Sequence, residues 1–216
     1  MGGGGILDPS SRLERYVLDL AGVERPRVCF LATAVGDHAE RILGFYAAFA
    51  ESGCELTHVE LFGMPDRPGD RVRAQDVVYV SGGNTANLLA LWRVHGIDDA
   101  VRDVWERGGV LAGWSAGANC WFEDSVTDSF GPLRALGDGL GFLPGSFCPH
   151  YDGEVLRRPT YRRLVADGMA PGYAADDDAA FVFSGGELPE VVSQRVGARG
   201  YRVGEDGEEP LEARLL

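Results

Sequence analysis

Residues 109–117 read Gly109-Val110-Leu111-Ala112-Gly113-Trp114-Ser115-Ala116-Gly117. The first five are apolar with no polar alternation, which suits a strand covered on both faces. They run straight into a G-x-S-x-G turn, and a helix is expected from Ala116 to Phe122. A strand, a tight turn bearing Ser and a helix form a nucleophile elbow: small residues flank the serine because the turn is sharp and neighbouring chains crowd it. The elbow also puts the serine at a helix start, where free N–H groups favour developing negative charge. The other reading of the same letters is a Gly-rich turn with Ser115 as a helix cap.

The pattern repeats upstream. Val77-Val78-Tyr79-Val80 predicts a strand ending in Ser81-Gly82-Gly83-Asn84, followed by a helix over Thr85–Val94. Ile97, Ala100, Val101, Val104 and Trp105 recur at helical spacing. Further strands are expected at Arg27–Thr33 and Leu56–Phe62. Helices are expected at Arg12–Ala21 (face Leu13, Tyr16, Val17, Leu20) and at Asp37–Ser52 (Ile42, Leu43, Tyr46, Phe49), the latter closed by Gly53. Gly63–Asp70, with Pro65 and Pro68, reads as a loop. Strands alternating with helices imply parallel pairing through crossovers. Beyond Pro144, Phe181–Phe183, Val191–Val196 and Tyr201–Val203 read as short strands between Gly-rich turns, an antiparallel meander on one sheet edge. The expected fold is a single α/β domain over residues 1–216: a three-layer sandwich with a mostly parallel sheet and a C-terminal antiparallel edge.

Composition narrows the partners. The 216 residues carry 33 acidic and 20 basic side chains, a formal charge of −13, and every base is Arg. Such a chain repels phosphate backbones and anionic lipid, so no nucleic-acid or membrane partner is expected. Cys29, Cys54, Cys120 and Cys148 form no C-x-x-C pair and read as free thiols of a cytoplasmic protein. No apolar run reaches bilayer length. No metal site or cofactor is implied, because no H-E-x-x-H, paired Cys or clustered His occurs and no P-loop lysine exists. A dinucleotide fingerprint in Gly2–Gly5 lacks the strand that should precede it.

A serine nucleophile needs a base. Of four histidines, His38 begins a helix, His58 lies in a strand and His95 ends a helix. His150, in Ser146-Phe147-Cys148-Pro149-His150-Tyr151-Asp152, lies where an apolar segment breaks into a loop, and such a strand end belongs on the elbow's sheet edge. The acid that orients the histidine has several candidates: Asp176, Asp177 and Asp178 in one run, with Asp128 and Glu123 as rivals. For an oxyanion hole, Ala116 supplies one backbone N–H and Gly83 a second.

Val80-Ser81-Gly82-Gly83-Asn84-Thr85, Gly113-Trp114-Ser115-Ala116-Gly117-Ala118-Asn119, Pro149-His150-Tyr151 and the Gly172–Val182 segment, in that order, resemble the dipeptidase E family. This is the aspartyl-dipeptidase and cyanophycinase-like group of serine peptidases, whose fold is similar to class I glutamine amidotransferases. The resemblance covers residues 27–203. It implies Ser115 as nucleophile, His150 as general base and then acid, Gly83 and Ala116 as oxyanion donors, and Gly82, Asn84, Asn119 and Tyr151 at the substrate. The family's acid is usually a Glu, and Asp177 matches its position, one methylene shorter. Asp176, Asp178 and Asp128 stay open as alternatives. Family members begin with a strand before the first glycines, which implies a first strand truncated from this chain. Aspartyl dipeptidases also hold the substrate's Asp with an Arg downstream of the histidine. Arg157, Arg158, Arg162 and Arg163 lie in that region without aligning, and an exposed helix face is the other reading of them. The expected activity is hydrolysis of short peptides. An esterase or amidase on other substrates, and a catalytically silent binding protein, are the alternatives. The exposed apolar residues leave room for a homodimer.

Overall fold

The computed structural model describes residues 1–3, 8, 10–184 and 190–216. Gly4 and Gly5 of the opening glycines lie outside the described residues, as does the Gly-rich turn expected between Phe183 and Val191. The chain falls into two compact units, Ile6–Gly117 and Ala118–Leu216 with Met1–Gly5.

The N-terminal unit contains α1 (Arg12–Asp19), β1 (Arg27–Leu31), α2 (Ala39–Ala48), β2 (Glu55–Val59), α3 (Pro68–Arg73), β3 (Val77–Val80), α4 (Thr85–His95), α5 (Ile97–Glu106) and β4 (Val110–Gly113). Its four strands are all parallel, in the order β2-β1-β3-β4. Every residue of β3 is buried, as its unbroken apolar run requires. In α2, Ile42 and Phe45 face the core and Leu43 is exposed. Leu43 was expected on the buried face, but Phe45 stacks on Phe30 with centroids 4.8 Å apart and packs on Phe49 at 5.0 Å. The helix ends at Ala48 with Phe49 as its C-cap, short of Gly53. The expected loop over Gly63–Asp70 gives way to α3 at Pro68, because proline's fixed φ and missing N–H suit the first helical turn. Tyr79, fully buried, donates its hydroxyl to Glu14 at 3.0 Å and ties α1 to β3.

A single helical turn, α6 (Ala116–Asn119), leads into the C-terminal unit. The helix expected to Phe122 stops here. The carbonyls of Cys120, Trp121 and Phe122 accept from Leu140, Leu143 and Gly141, and the Asn119 amide donates to the Val126 carbonyl at 3.2 Å. Then follow β5 (Phe122–Thr127), β6 (Arg134–Leu136), β7 (Leu143–Cys148), α7 (Arg157–Ala166), β8 (Gly172–Ala175), β9 (Ala179–Val182), β10 (Glu190–Ser193), β11 (Gly200–Gly204), β12 (Gly207–Leu211) and β13 (Arg214–Leu215). They form a six-stranded sheet, β12-β11-β8-β7-β5-β6, and a three-stranded one, β13-β10-β9. The β5-β7-β8 core is parallel, and Val126, Cys148, Tyr161, Val165, Ala174 and Val203 pack around it. The expected single meander is therefore split. β9 and β10 pair with each other, whereas β11 returns to β8. The left-handed backbone at Asp178 (φ 64) and Gly197 (φ 86) turns the chain between the two sheets.

The fold is thus mixed α/β, with a parallel sheet and added antiparallel strands. Phe45→Ala is expected to cost about 3–5 kcal/mol, the usual loss for a buried aromatic truncated in a close-packed core. Chemical denaturation of the wild type and the variant measures it.

Candidate active site

Strand register gathers the first group of candidates. Val80 of β3 lies opposite Gly113 of β4, so the loops that follow leave the sheet side by side. The chain must turn at once from β4 into α6, and Ser115 absorbs that turn with left-handed backbone, φ 53. This conformation costs a non-glycine residue about 1–3 kcal/mol and persists only where the surroundings impose it. Gly117 permits the turn, since a Cβ there would lie 2.8 Å from the Ser81 carbonyl oxygen. Gly82 lies against Trp114 and Ser115. Gly83 has φ 135, and its neighbour Asn84 donates its N–H to Ala34 at 2.8 Å. Among the described residues, neither the Gly83 nor the Ala116 N–H has a backbone acceptor. The Asn84 side chain, expected at the substrate, caps α4 by accepting from Asn87 N–H at 2.9 Å.

The second group lies in the C-terminal unit and is positioned the same way. Cys148 of β7 is opposite Ala174 of β8, and Tyr151 N–H bonds the Ala175 carbonyl at 3.0 Å. His150 and Asp177 therefore emerge at matching levels. His150 is left-handed (φ 54), and its Nδ1 lies 2.7 Å from Asp177 Oδ1. A carboxylate at Nδ1 favours the tautomer that keeps its proton there, leaving Nε2 to accept another.

The other acids face elsewhere. Asp176 is buried, and its Oδ2 accepts from Arg199 N–H at 2.9 Å and from the Tyr201 hydroxyl at 3.5 Å. Its Oδ1 is buried with no partner among the described residues. Burial raises the Asp176 pKa above the usual carboxylate value. Asp178 accepts from Gln194 Nε2 and Arg195 Nε. Asp128 pairs with Arg157 at 3.8 Å, and Glu123 accepts from Gly145 N–H at 2.8 Å. Of these five acids, Asp177 is the one bonded to His150.

Asn119 and Tyr151, also expected at the substrate, are buried and committed to the fold. The Asn119 amide bonds Val126, and the Tyr151 hydroxyl donates to Glu208 at 2.5 Å. Arg157 is buried too, donating to the Val126 carbonyl and to Glu154, while Arg158 pairs with Glu208. The expected exposed arginine face therefore loses Arg157 to the interior. His58 bonds the Tyr46 hydroxyl at 2.8 Å. The four cysteines are free thiols, and burial pushes Cys29 up to about 12 and raises Cys120 and Cys148 as well. These three are protonated and inert as nucleophiles.

Two residues around Asp177 escape a sequence reading. Asp152 accepts from Asp177 N–H at 2.8 Å, and Arg195 donates to the Asp177 carbonyl at 2.9 Å. Asp152 carried a signal, being an acid two residues past His150. Arg195, far away in the chain, carried none.

Residues 1–191 match the peptidase family S51. The chain belongs to that family. It is a hydrolase of the peptidase class. The "uncharacterized peptidase YgaJ" of Bacillus subtilis (strain 168) is 49% identical over 224 residues, spanning 100% of this chain and 97% of its own length. A "Peptidase E" of Shewanella denitrificans is 27% identical over 175 residues, 76% of this chain and 72% of that one. The crystal structure of a peptidase from an acI-B1 Actinobacterium superposes with a TM-score of 0.76, covering 99% of this chain and 92% of its own, and at 18% identity shows a shared fold.

The raised Asp176 pKa gives a stability test for this S51 chain. A folded-state pKa above the unfolded one favours folding while the group is protonated. That advantage is lost as pH climbs through the folded value. Asn at this position does not titrate. Relative to the wild type, Asp176→Asn is therefore expected to gain stability as pH rises from 3.5 to 7. Denaturation curves at the two pH values check the sign.

Proposed function

We propose that this S51 peptidase hydrolyses short peptides through Ser115, His150 and Asp177 by way of an acyl-enzyme. The observation that carries the reading is Ser115 held in strained left-handed backbone at a strand-to-helix turn. The hydrogen bond from His150 to Asp177 supports it. So does the peptidase E name of one relative.

In this reading Ser115 Oγ attacks the scissile carbonyl carbon while His150 Nε2 takes the hydroxyl proton. The Gly83 and Ala116 N–H groups bond the resulting oxyanion. His150 returns the proton to the leaving amine, and the C–N bond breaks to leave an ester on Ser115. Water, deprotonated by His150, then cleaves the ester and restores the serine. Asp177 holds the imidazole and stabilises its cationic form without taking the proton itself. No Asp preference is proposed, because Arg157 and Arg158 already bind protein acceptors. Four free thiols support a reducing, cytoplasmic setting, and no described helix is long and apolar enough to cross a membrane.

Ser115→Ala is expected to abolish hydrolysis of a dipeptide and tripeptide panel, together with covalent labelling by a fluorophosphonate, at unchanged thermal stability. Full activity in that variant removes Ser115 as nucleophile. Hydrolysis of p-nitrophenyl esters with no peptide cleavage makes the enzyme an esterase. Asp177→Asn is expected to lower kcat by about 10⁴-fold, as when a triad histidine is held in the wrong tautomer. If Asp128→Asn produces that loss and Asp177→Asn does not, the acid is Asp128.

A further inference from the structure

Asp177 sits in the turn between β8 and β9 with a carboxylate on either side of it in sequence, and three adjacent like charges repel one another. What fixes its direction is a closed ring of hydrogen bonds. The Asp177 N–H donates to Asp152 Oδ1 at 2.8 Å. The other oxygen of that carboxylate, Oδ2, accepts from an Arg195 guanidinium nitrogen at 2.5 Å. The same nitrogen donates to the Asp177 carbonyl at 2.9 Å and closes the ring. Arg195 Nε reaches Asp178 Oδ2 at 3.2 Å, and Gln194 secures Asp178 through its side-chain amide at 2.9 Å and its backbone N–H at 3.0 Å. These bonds hold Asp178 in its left-handed conformation, φ 64.

The Asp177 carboxylate is hemmed in as well. A Cβ at Gly3 would lie 2.5 Å from Asp177 Oδ1, and one at Gly153 would lie 3.0 Å from its Cγ. Asp178 N–H donates to the Gly3 carbonyl at 2.9 Å, so the backbone of residue 3 packs directly on this turn.

We propose that Asp152 and Arg195 are positioning residues that fix the direction from which Asp177 meets His150 Nδ1. The proposal rests on the Ser115–His150–Asp177 reading above. Neither residue bonds His150, so each acts through Asp177. The Arg195 side chain keeps 43% of its exposure and that of Asp152 36%. A pair this exposed adds little to global stability. Its geometry matters more: a planar fork reaches the Asp177 carbonyl, Asp152 and Asp178 together, which a lysine ammonium at the end of a flexible stem does not reproduce. Small misplacements of a catalytic group carry large rate penalties.

The test uses the full chain and the rate of Ser115 labelling by a fluorophosphonate, which needs no knowledge of the natural substrate. Arg195→Ala and Asp152→Ala are each expected to slow labelling by about 10- to 100-fold with little change in thermal unfolding. In an Asp177→Asn background, adding Arg195→Ala is expected to slow it no further, because the two residues act as one unit. A merely structural role would give the same fold-loss in both backgrounds. A second readout is independent of turnover. The downfield proton resonance of the His150–Asp177 hydrogen bond is expected in Ser115→Ala and lost from the double variant Ser115→Ala, Arg195→Ala. Arg214→Ala, which removes a somewhat more exposed bond to Glu190 at 2.6 Å, serves as control and should change neither measurement. If Arg195→Ala fails to fold, Arg195→Lys takes its place with the same expected loss. Wild-type labelling in Arg195→Ala, or equal losses in both backgrounds, overturns the positioning role. Wild-type labelling in Asp177→Asn instead overturns the triad reading beneath it, so the two failures are distinguishable.

Discussion

β7 and β8 run parallel with Cys148 opposite Ala174, and the meeting of His150 with Asp177 follows from that register. Parallel neighbours end at the same sheet edge. Two residues past Cys148 the chain reaches His150, and three past Ala174 it reaches Asp177. A shift of one residue in either strand would turn every side chain to the opposite face and separate the imidazole from its carboxylate. The buried cluster of Val126, Tyr161, Val165 and Val203 locks the register by fixing which faces point inward. The N-terminal unit applies the same device, where Val80 opposite Gly113 sends the Gly82-Gly83 loop and the Ser115 turn out together.

The acid run shows how packing sorts chemically identical groups. Asp176, Asp177 and Asp178 are consecutive, yet each carboxylate has a different environment. The first is buried against Arg199 and Tyr201, the second meets His150, and the third pairs with Gln194 and Arg195. The end of β8 and the left-handed Asp178 set these directions. A strained backbone of this kind survives only because hydrogen bonds on both sides over-determine it. Ser115 and His150 share that left-handed geometry, as do Asp37 and Arg67.

Much of this was legible in the residue pattern. The unbroken apolar runs at 77–80 and 109–113 could pair only as covered parallel strands. The turn at 113–117 needed small residues at both ends, and the sequence supplies them. The Gly-rich end of β3 marked a second loop at the same edge. The residue pattern and the fold part where long-range contacts outweigh local preference. The elbow helix looked longer than it is because carbonyls 120–122 bond the 140–143 segment. The C-terminal strands looked like one meander because short apolar strands carry no mark of which sheet they join. The protein partners of Asn119 and Tyr151 were not legible either, because a motif places a residue along the chain and does not say which way its side chain points.

The sequence by itself determined the alternation of strands and helices, the strand-to-helix turn at Ser115, and the segments that offer a histidine and an acid, since periodicity and turn chemistry are local properties. Only the tertiary structure decided which of five acids meets His150. That choice depends on the register of β7 with β8 and on the ring of hydrogen bonds through Asp152 and Arg195. Residues 152, 177 and 195 lie on three separate segments, and nothing short of the packed fold brings them within bonding distance.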